Sequence, residues 1–264
     1  MSDIRFEGVS RTFRRDGKEF LALDTVDLAI ADKEFVAIVG PSGCGKTTCL
    51  RMVAGFDTPS AGKVTVAGAQ VRGPAPERAV VFQQFALFPW KSVAENIAFG
   101  LRNKGVPAAE QRERISHYVN LMGLQGYETA YPHQLSGGMQ QRVAIARAYA
   151  LDPAVLLMDE PFGALDAQTR VVMQEELVRL ARVNPRTVLF ITHGVEEAIY
   201  LADRVAVMTK RPGRIKEIID VRSVRAAEKW ESHPRIEDVM DLPSFVHLRT
   251  HIWRSLREEK GEQR

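Results

Sequence analysis

Short apolar runs alternate with helical patterns along much of the chain. Residues 35–39, 155–158 and 188–191 are continuous apolar runs, typical of strands that are buried on both faces of a parallel sheet. Residues 80–82 and 205–208 have the same character. Because helical stretches separate these runs, the pattern predicts an α/β fold with a mainly parallel sheet and crossover helices.

Two regions depart from this alternation. In residues 4–6, 26–30 and 64–68, apolar side chains recur at every second position, which predicts half-buried strands of an N-terminal antiparallel β subdomain. Residues 92–150 contain no strand-like run and show helical spacing instead. We therefore expect an inserted α-helical subdomain over about residues 85–150, within a first domain that spans residues 1–220.

The remaining residues, 221–264, are more polar and are expected to form a helical extension. Their last helix is predicted to be amphipathic, with Pro243 in its first turn. Its apolar face consists of Phe245, Leu248, Ile252 and Leu256. This face could dock on the sheet domain, or it could contact a second copy of the chain or sense a regulator.

Composition excludes several classes of protein. The 36 basic and 33 acidic residues give a net charge of +3, which does not indicate a nucleic-acid-binding surface. No apolar run approaches the roughly 18 to 20 residues that span a bilayer, and the first residues lack a secretory signal. The two cysteines, Cys44 and Cys49, are poor candidates for a disulfide. We expect a cytoplasmic protein that reaches a membrane only through a partner.

A glycine-rich loop follows the apolar run at 35–39 and precedes a helical stretch at 47–54. This strand, loop and helix context is typical of a phosphate loop, whose backbone N–H groups surround phosphates. Lys46 is expected to reach the β- and γ-phosphates, and the Thr47 hydroxyl to bind Mg²⁺. The loop residues are Gly40, Pro41, Ser42, Gly43, Cys44, Gly45, Lys46, Thr47 and Thr48.

A second candidate anion site lies in residues 135–140, Leu-Ser-Gly-Gly-Met-Gln. We interpret it as a flexible turn that opens into a helix over residues 140–150. A helix start carries unpaired N–H groups and a partial positive charge, so it favours an anion. The two sites could bind two phosphate groups, or the same phosphate group from opposite sides.

Polar side chains end three of the apolar runs. Asp159 and Glu160 follow one run, and His193 and Gln83 follow two others. In an open parallel sheet, ligands gather at the carboxyl ends of strands. Asp159 and Gln83 could therefore bind Mg²⁺, while Glu160 could polarise a water for attack on the γ-phosphate.

Phe13 precedes the phosphate loop in the chain. It could stack on an adenine ring, or it could be a strand aromatic that packs into the core. The residue pattern leaves both interpretations open.

Together these motifs resemble the nucleotide-binding subunit of ATP-binding cassette (ABC) transporters over about residues 3–220. The resemblance implies an ATP hydrolase with Glu160, His193 and Gln83 in catalysis, and Thr47, Gln83 and Asp159 at Mg²⁺. It also implies that Phe13, Ser136, Gly137, Gly138 and Asp166 contact ATP. Phe13 stands where tyrosine is usual, Met139 where many members have glutamine, and Gly163 where many have serine.

The resemblance further implies that two subunits pack head to tail. Each ATP then lies between the phosphate loop of one chain and residues 136–138 of the other. Such subunits sit on the cytoplasmic face of the cell membrane through a permease, and a periplasmic or lipid-anchored protein supplies the solute. We expect the permease to contact a surface that includes Phe85, Leu87, Phe88 and Trp90.

Within the family, residues 192–198 and 210–215 look like those of nitrate, sulfonate and taurine importers. Importers of thiamine precursors and aromatic acids share these features. An ABC ATPase of DNA repair would separate Lys46 from Ser136 by a long coiled coil, and this chain has no sustained heptads there. A translation-associated member would carry two cassettes, whereas each motif occurs once.

Overall fold

A computed structural model describes residues 2–15, 17–233 and 235–260 of the chain. Residues 1, 16, 234 and 261–264, which fall within the predicted domains, lie outside the described residues. The strands are β1 (Ile4–Arg15), β2 (Lys18–Ile30), β3 (Phe35–Val39), β4 (Ala61–Val66), β5 (Ala69–Gln70), β6 (Arg78–Val81), β7 (Val155–Asp159), β8 (Thr187–Ile191), β9 (Arg204–Met208) and β10 (Ile215–Asp220). The helices are α1 (Lys46–Ala54), α2 (Val93–Asn103), α3 (Ala108–Leu121), α4 (Gly137–Ala150), α5 (Ala167–Val183), α6 (Val195–Leu201), α7 (Arg222–Ala227), α8 (Ile236–Met240) and α9 (Pro243–Lys260).

The chain forms two compact units. The first unit contains residues 1–75 and 184–264, and the second contains residues 76–183. In the residues that are described, no helix is both long enough and apolar enough to cross a bilayer.

The first unit contains an antiparallel sheet in the order β2-β1-β4-β5. Ile4 and Phe6 of β1 are buried, and they alternate with more exposed neighbours, as the sequence predicts. The predicted strand at 64–68 is too long. Ala67 takes a left-handed conformation (φ 52°), so β4 ends at Val66 and the chain turns into β5.

A second sheet of this unit carries the buried apolar runs. β3 lies between β8 and β9 and is parallel to both, while β10 is antiparallel to β9. Every residue of β3 and β8 is buried, which explains their continuous apolar sequences. Helix α1 contacts β8, and α6 contacts β3 and β9. The predicted α/β class is confirmed.

The same unit includes the C-terminal helix. The four apolar residues predicted to share a face of α9 are all buried, and α9 contacts α6 and β9. The apolar face therefore packs on the sheet and its helix within this unit, as the docking interpretation expects.

The second unit pairs β6 with β7 in parallel and adds the helices α2 to α5. The prediction that α4 begins at residue 140 is wrong, because the helix begins at Gly137. Glycine is unfavourable in the interior of a helix, so the sequence Gly137-Gly138 resembles that of a turn. Ser136 caps the helix, however, and the first turn accepts glycine because its N–H groups have no helical acceptor.

Candidate nucleotide site

The phosphate loop of the first unit joins β3 directly to α1. Gly45 is the residue before α1 and has φ 104°, a left-handed conformation that favours glycine. A Cβ atom added there would lie 2.4 Å from Leu23 Cδ2. No side chain caps the start of α1. The N–H groups of its first turn therefore face the loop without competition from a side-chain oxygen, which suits an anion.

Lys46 is buried at the base of this loop. Its ammonium donates hydrogen bonds to the carbonyl oxygens of Gly40 (2.8 Å) and Pro41 (3.1 Å). These bonds hold the charge beside the loop backbone, where it can stabilise a bound phosphate. Thr47 follows in the first turn of α1 and is exposed, as are Ser42 and Gly43, whereas Thr48 is half-buried.

A second loop packs on the phosphate loop from within the same unit. A Cβ atom added at Gly213 would lie 1.9 Å from the carbonyl oxygen of Cys44. The Gly213 N–H donates to Ala22, and its carbonyl accepts from Asp24. The sequence indicates only that residues 210–215 resemble those of one branch of a family. It does not predict that this segment supports the phosphate loop, because the support depends on the contact of Gly213 with the distant Cys44.

Both cysteines of this unit are buried. Burial raises the pKa of Cys49 to about 12 and also raises the pKa of Cys44. The two thiols are therefore neutral at physiological pH, and they are buried in the phosphate loop (Cys44) and in α1 (Cys49).

His193 follows β8 and is exposed. The Thr192 hydroxyl before it donates to Glu197 of α6 and accepts a hydrogen bond from the Gly194 N–H at 2.9 Å. Thr192 therefore fixes the turn that carries His193. The exposed imidazole lies just past the carboxyl end of a parallel strand, as the sequence predicts.

Phe13 is half-buried on β1. Its ring centroid lies 5.7 Å from that of Phe20, its partner on β2, and the Arg11 guanidinium lies 4.5 Å from the ring centroid. Asp57 holds Arg11 with an ion pair of 2.6 Å. The ring is thus positioned by neighbours on the sheet surface and is not part of the buried core. Its stacking on adenine stays a prediction.

The second unit brings two of the predicted catalytic residues together. Asp159 is the last residue of β7, and Glu160 follows with φ 46°, a strained conformation for a residue with a side chain. The Glu160 carbonyl accepts from the Gly163 N–H at 3.0 Å. Gln83 Nε2 donates to Glu160 Oε2 at 3.4 Å. This long bond connects the candidate general base to the residues that follow β6.

The start of α4 carries the second candidate anion site. Ser136 Oγ accepts a hydrogen bond from the Met139 N–H at 3.3 Å and so caps the helix. Gly138 is tightly packed, since a Cβ atom there would lie 2.5 Å from Thr169 Cγ2. At Gly137 the nearest atoms would be 3.9 Å away. Ser136 and Gly137 are both exposed, so an anion can approach this helix start.

Asp166 has a local structural role that the sequence interpretation missed. Its carboxylate accepts from the Thr169 N–H at 3.0 Å, so it caps the start of α5. These hydrogen bonds lower the pKa of Asp166. An aspartate directly before a helical stretch was the available signal. A contact of Asp166 with ATP stays a prediction.

The 85–90 segment only partly matches its prediction. Trp90 is 70% exposed, but Phe85, Leu87 and Phe88 are each half-buried. The Phe88 ring packs on Phe99 of α2, with centroids 4.4 Å apart. The sequence predicts that the four apolar side chains cannot all point inward on so short a segment, and the structure agrees, with Trp90 exposed and the other three half-buried.

A cavity of about 620 Å³ adjoins this segment within the second unit. Its lining includes Gln83, Phe85, Leu87, Gln140 and Asp159. The cavity therefore extends from a predicted Mg²⁺ ligand to the apolar segment.

Two further residues hold the 85–90 segment, and sequence reasoning missed both. Asn96 is fully buried on α2 and hydrogen-bonds both the N–H (2.9 Å) and the carbonyl (3.2 Å) of Phe88. Arg147 on α4 donates to the carbonyls of Ala86 (2.8 Å) and Phe85 (3.2 Å). Desolvation lowers the pKa of Arg147, but a guanidinium stays charged.

The donors predicted for Mg²⁺ are Thr47, Gln83 and Asp159. A hydroxyl, an amide oxygen and a carboxylate suit a hard cation that retains water and phosphate ligands. Gln83 uses its Nε2 for Glu160, which leaves its oxygen for a cation. Across the described part of the chain, no group of three or more His, Cys, Asp or Glu side chains forms a metal cage. Within the second unit, Gln83 and Asp159 line one cavity, and their amide and carboxylate oxygens suit Mg²⁺ in the chemistry of the donors.

A phosphate loop between a buried parallel strand and a helix defines the class as a P-loop nucleotide-binding protein of α/β fold. Comparison with known proteins gives the family. The family model described as ABC transporter matches residues 23–163. An ABC transporter ATP-binding protein of Methanocaldococcus jannaschii is 50% identical over 226 residues, which cover 86% of this chain and 85% of that protein.

Two further matches agree. The nitrate import ATP-binding protein NrtD of Synechococcus elongatus is 42% identical over 250 residues, covering 94% of this chain and 89% of that protein. A solved dimeric post-hydrolysis state of an ATP-binding cassette with ADP and Pi aligns with a TM-score of 0.72 at 31% identity, covering 83% of this chain and 99% of that chain. The chain belongs to the ABC transporter family and is one of its ATPases. The predicted family and its nitrate-importer branch are confirmed.

Proposed function

We propose that the chain is the ATP-hydrolysing subunit of an importer for a small anionic or sulfonated solute of the nitrate, sulfonate or taurine type. The observation that carries the transport part is the bond between Gln83 and Glu160. Gln83 lies two residues before a segment that ends in the exposed Trp90. A permease that contacts this segment could therefore influence the residue that activates water.

The proposed roles follow from chemistry. Lys46 and the N–H groups of the phosphate loop bind the β- and γ-phosphates, with Thr48 and residues 41–44 completing the loop, and Phe13 stacks on the adenine. Glu160 polarises the attacking water, and His193 orients the γ-phosphate. Thr47, Gln83 and Asp159 hold Mg²⁺, which supplies charge neutralisation on the phosphates.

A second copy of the chain is proposed to complete each site. The signature residues Ser136, Gly137 and Gly138 of one subunit contact the γ-phosphate held by the other subunit, with Asp166 nearby. The dimeric cassette with ADP and Pi supports this arrangement. Because the γ-phosphate is the common ligand, its binding favours closure and its loss favours opening.

In the complete transporter, permease subunits contact the surface near Phe85, Leu87, Phe88 and Trp90. They hold the ATPase at the cytoplasmic face of the cell membrane. A periplasmic or lipid-anchored protein delivers the solute. The similarity to a nitrate import subunit supports this branch, and a thiamine-precursor or aromatic-acid importer is the competing assignment.

The test is reconstitution of the chain with its permease and solute-binding protein in vesicles. Uptake of labelled nitrate, taurine and an aromatic acid is measured with ATP inside or outside the vesicle. The proposal expects uptake of one of the two anionic or zwitterionic solutes only when ATP reaches the subunit. Uptake of the aromatic acid alone would select the competing assignment, and ATP-independent uptake would contradict the role of the subunit.

A further inference from the structure

Arg147 makes an unusual set of contacts with the 85–90 segment. From α4 its guanidinium reaches two consecutive backbone carbonyls, those of Phe85 and Ala86, and it lies 5.8 Å from the centroid of the Phe88 ring. No carboxylate in the described ranges forms an ion pair with Arg147. Its bonding partners are therefore the segment's own backbone and ring.

The conformation of the segment depends on this contact. Ala86 has φ 48°, a left-handed conformation that costs free energy for a residue with a Cβ atom. Two parallel N–H donors of one planar group restrict the orientation of two adjacent peptide units. The hydrogen bonds of Arg147 therefore act on a backbone conformation that is unfavourable for Ala86.

The far end of the segment is fixed separately. The two N–H groups of Asn96 Nδ2 are shared among the carbonyls of Phe88 (3.2 Å), Lys91 (3.0 Å) and Ser92 (3.0 Å), and Asn96 Oδ1 accepts from the Phe88 N–H. Helix α2, which carries Asn96, packs on α4. The segment is thus attached to two mutually packed helices, and Gln83, two residues before it, donates a hydrogen bond of 3.4 Å to the candidate base Glu160.

We propose that Arg147 is a positioning residue that fastens the 85–90 segment to α4, so that a displacement of the segment by the permease moves the signature residues at the start of the same helix. Gln83 provides one route from the segment to the site, toward Glu160. Arg147 provides a second route, toward Ser136 and Gly137. This inference rests on the proposed function, because it takes the permease as the partner that displaces the segment.

Arg147 is half-buried, and the cost of removing part of its charge from water supports a specific role. Removing a cation from water is unfavourable, and an apolar side chain of similar volume would fill the same space at lower cost. An arginine at this position is useful when two backbone carbonyls must be held together. Lysine can donate to one carbonyl at a time without the planar fork, so it should retain only part of the effect.

The first measurement needs no permease. Amide hydrogen exchange of the isolated full chain is compared for wild type, Arg147→Ala, Arg147→Lys and Arg114→Ala. Arg114 is the matched control, because it donates to the Ala150 carbonyl at the other end of α4 (3.1 Å). Exchange over residues 85–88 should be about tenfold faster in Arg147→Ala, intermediate in Arg147→Lys and unchanged in Arg114→Ala. Equal exchange in wild type and Arg147→Ala would overturn the proposed attachment.

The second measurement uses the reconstituted complex and separates KM from kcat. Arg147→Ala should keep the KM for ATP within about twofold of wild type, while solute-stimulated hydrolysis falls about tenfold and Arg147→Lys recovers part of it. Full stimulation in Arg147→Ala, with faster exchange at 85–88, would overturn the transmission step. If the wild-type chain itself shows no permease-dependent stimulation, the proposed function fails, and the transmission step fails with it. The exchange result still decides whether Arg147 holds the segment.

Discussion

The helix starts at Lys46 and Gly137 both carry N–H groups that can bind an anion. They differ in their side-chain caps, in whether a cation lies beside them, and in how tightly their glycine is packed. The start of α1 has no side-chain cap, a buried ammonium beside it and a glycine whose Cβ would collide with Leu23. The start of α4 is capped by Ser136, and a Cβ atom at Gly137 would meet only ordinary contacts, 3.9 Å from Leu165 and Phe85. A closely packed loop with its own cation can bind phosphate alone. We expect a capped, exposed helix start with no cation of its own to bind a phosphate only when another chain presents it.

The largest effect is expected at Glu160, the proposed general base. Glu160→Gln should lower hydrolysis by about 10² to 10⁴-fold while ATP binding persists, because the amide cannot accept the proton of the attacking water. The rate of hydrolysis is measured by phosphate release. Association of two chains is measured by size-exclusion chromatography with ATP, which should show a stabilised dimer of Glu160→Gln. Glu113→Gln, an exposed acid on α3, is the control and should match wild type. A normal rate in Glu160→Gln would remove Glu160 as the base.

A pair of glycine variants tests the difference between the two helix starts. Gly45→Ala should lower stability by about 1 to 3 kcal/mol and weaken ATP binding, because alanine at φ 104° is strained and meets Leu23. Gly137→Ala should fold with unchanged or slightly higher stability, since alanine favours helices. Its hydrolysis should nevertheless fall if this exposed helix start receives the γ-phosphate that a partner binds, because the added methyl group would lie beside that phosphate. Thermal unfolding measures stability, fluorescent-nucleotide binding measures ATP affinity, and phosphate release measures hydrolysis. Equal effects of both variants on ATP binding would refute the proposed difference between the two helix starts.

Removing the cap of α4 should have a smaller effect on stability. Ser136→Ala loses one hydrogen bond to the Met139 N–H and should cost about 1 kcal/mol. ATP binding by the isolated chain should stay at the wild-type level, whereas hydrolysis should be lost. Chemical denaturation and equilibrium binding are the measurements. Weaker ATP binding by the isolated Ser136→Ala chain would indicate that Ser136 contacts the ATP bound by its own chain, and would contradict the shared site.

The smallest expected effect concerns the two buried thiols, Cys44 and Cys49. Because burial raises the pKa of Cys49 to about 12 and also raises the pKa of Cys44, both should remain protonated at pH 8. The thiolate is the reactive form, so iodoacetamide should leave both cysteines unmodified in the folded chain and modify both in denaturant. Mass spectrometry counts the adducts. Rapid labelling of the folded chain would indicate that the loop opens readily.

The sequence predicts local features well and contacts between distant residues poorly. The buried strands and the phosphate loop are recognisable because their signals lie within a few neighbouring residues. The start of α4 was misplaced because the low helix propensity of Gly137 outweighed the cap at Ser136 in the pattern. Arg147 and Gly213 could not be predicted, since each acts on a backbone carbonyl that is distant in sequence.

The central claim is that each ATP site is shared by two chains, and mixing two inactive variants tests it directly. Lys46→Ala disables the phosphate loop, and Ser136→Arg disables the signature. In a head-to-tail pair of these variants, one site carries both defects and the other carries neither. An equimolar mixture should therefore regain about one quarter of wild-type hydrolysis, although each variant alone is inactive. A mixture as inactive as its components would contradict the shared site.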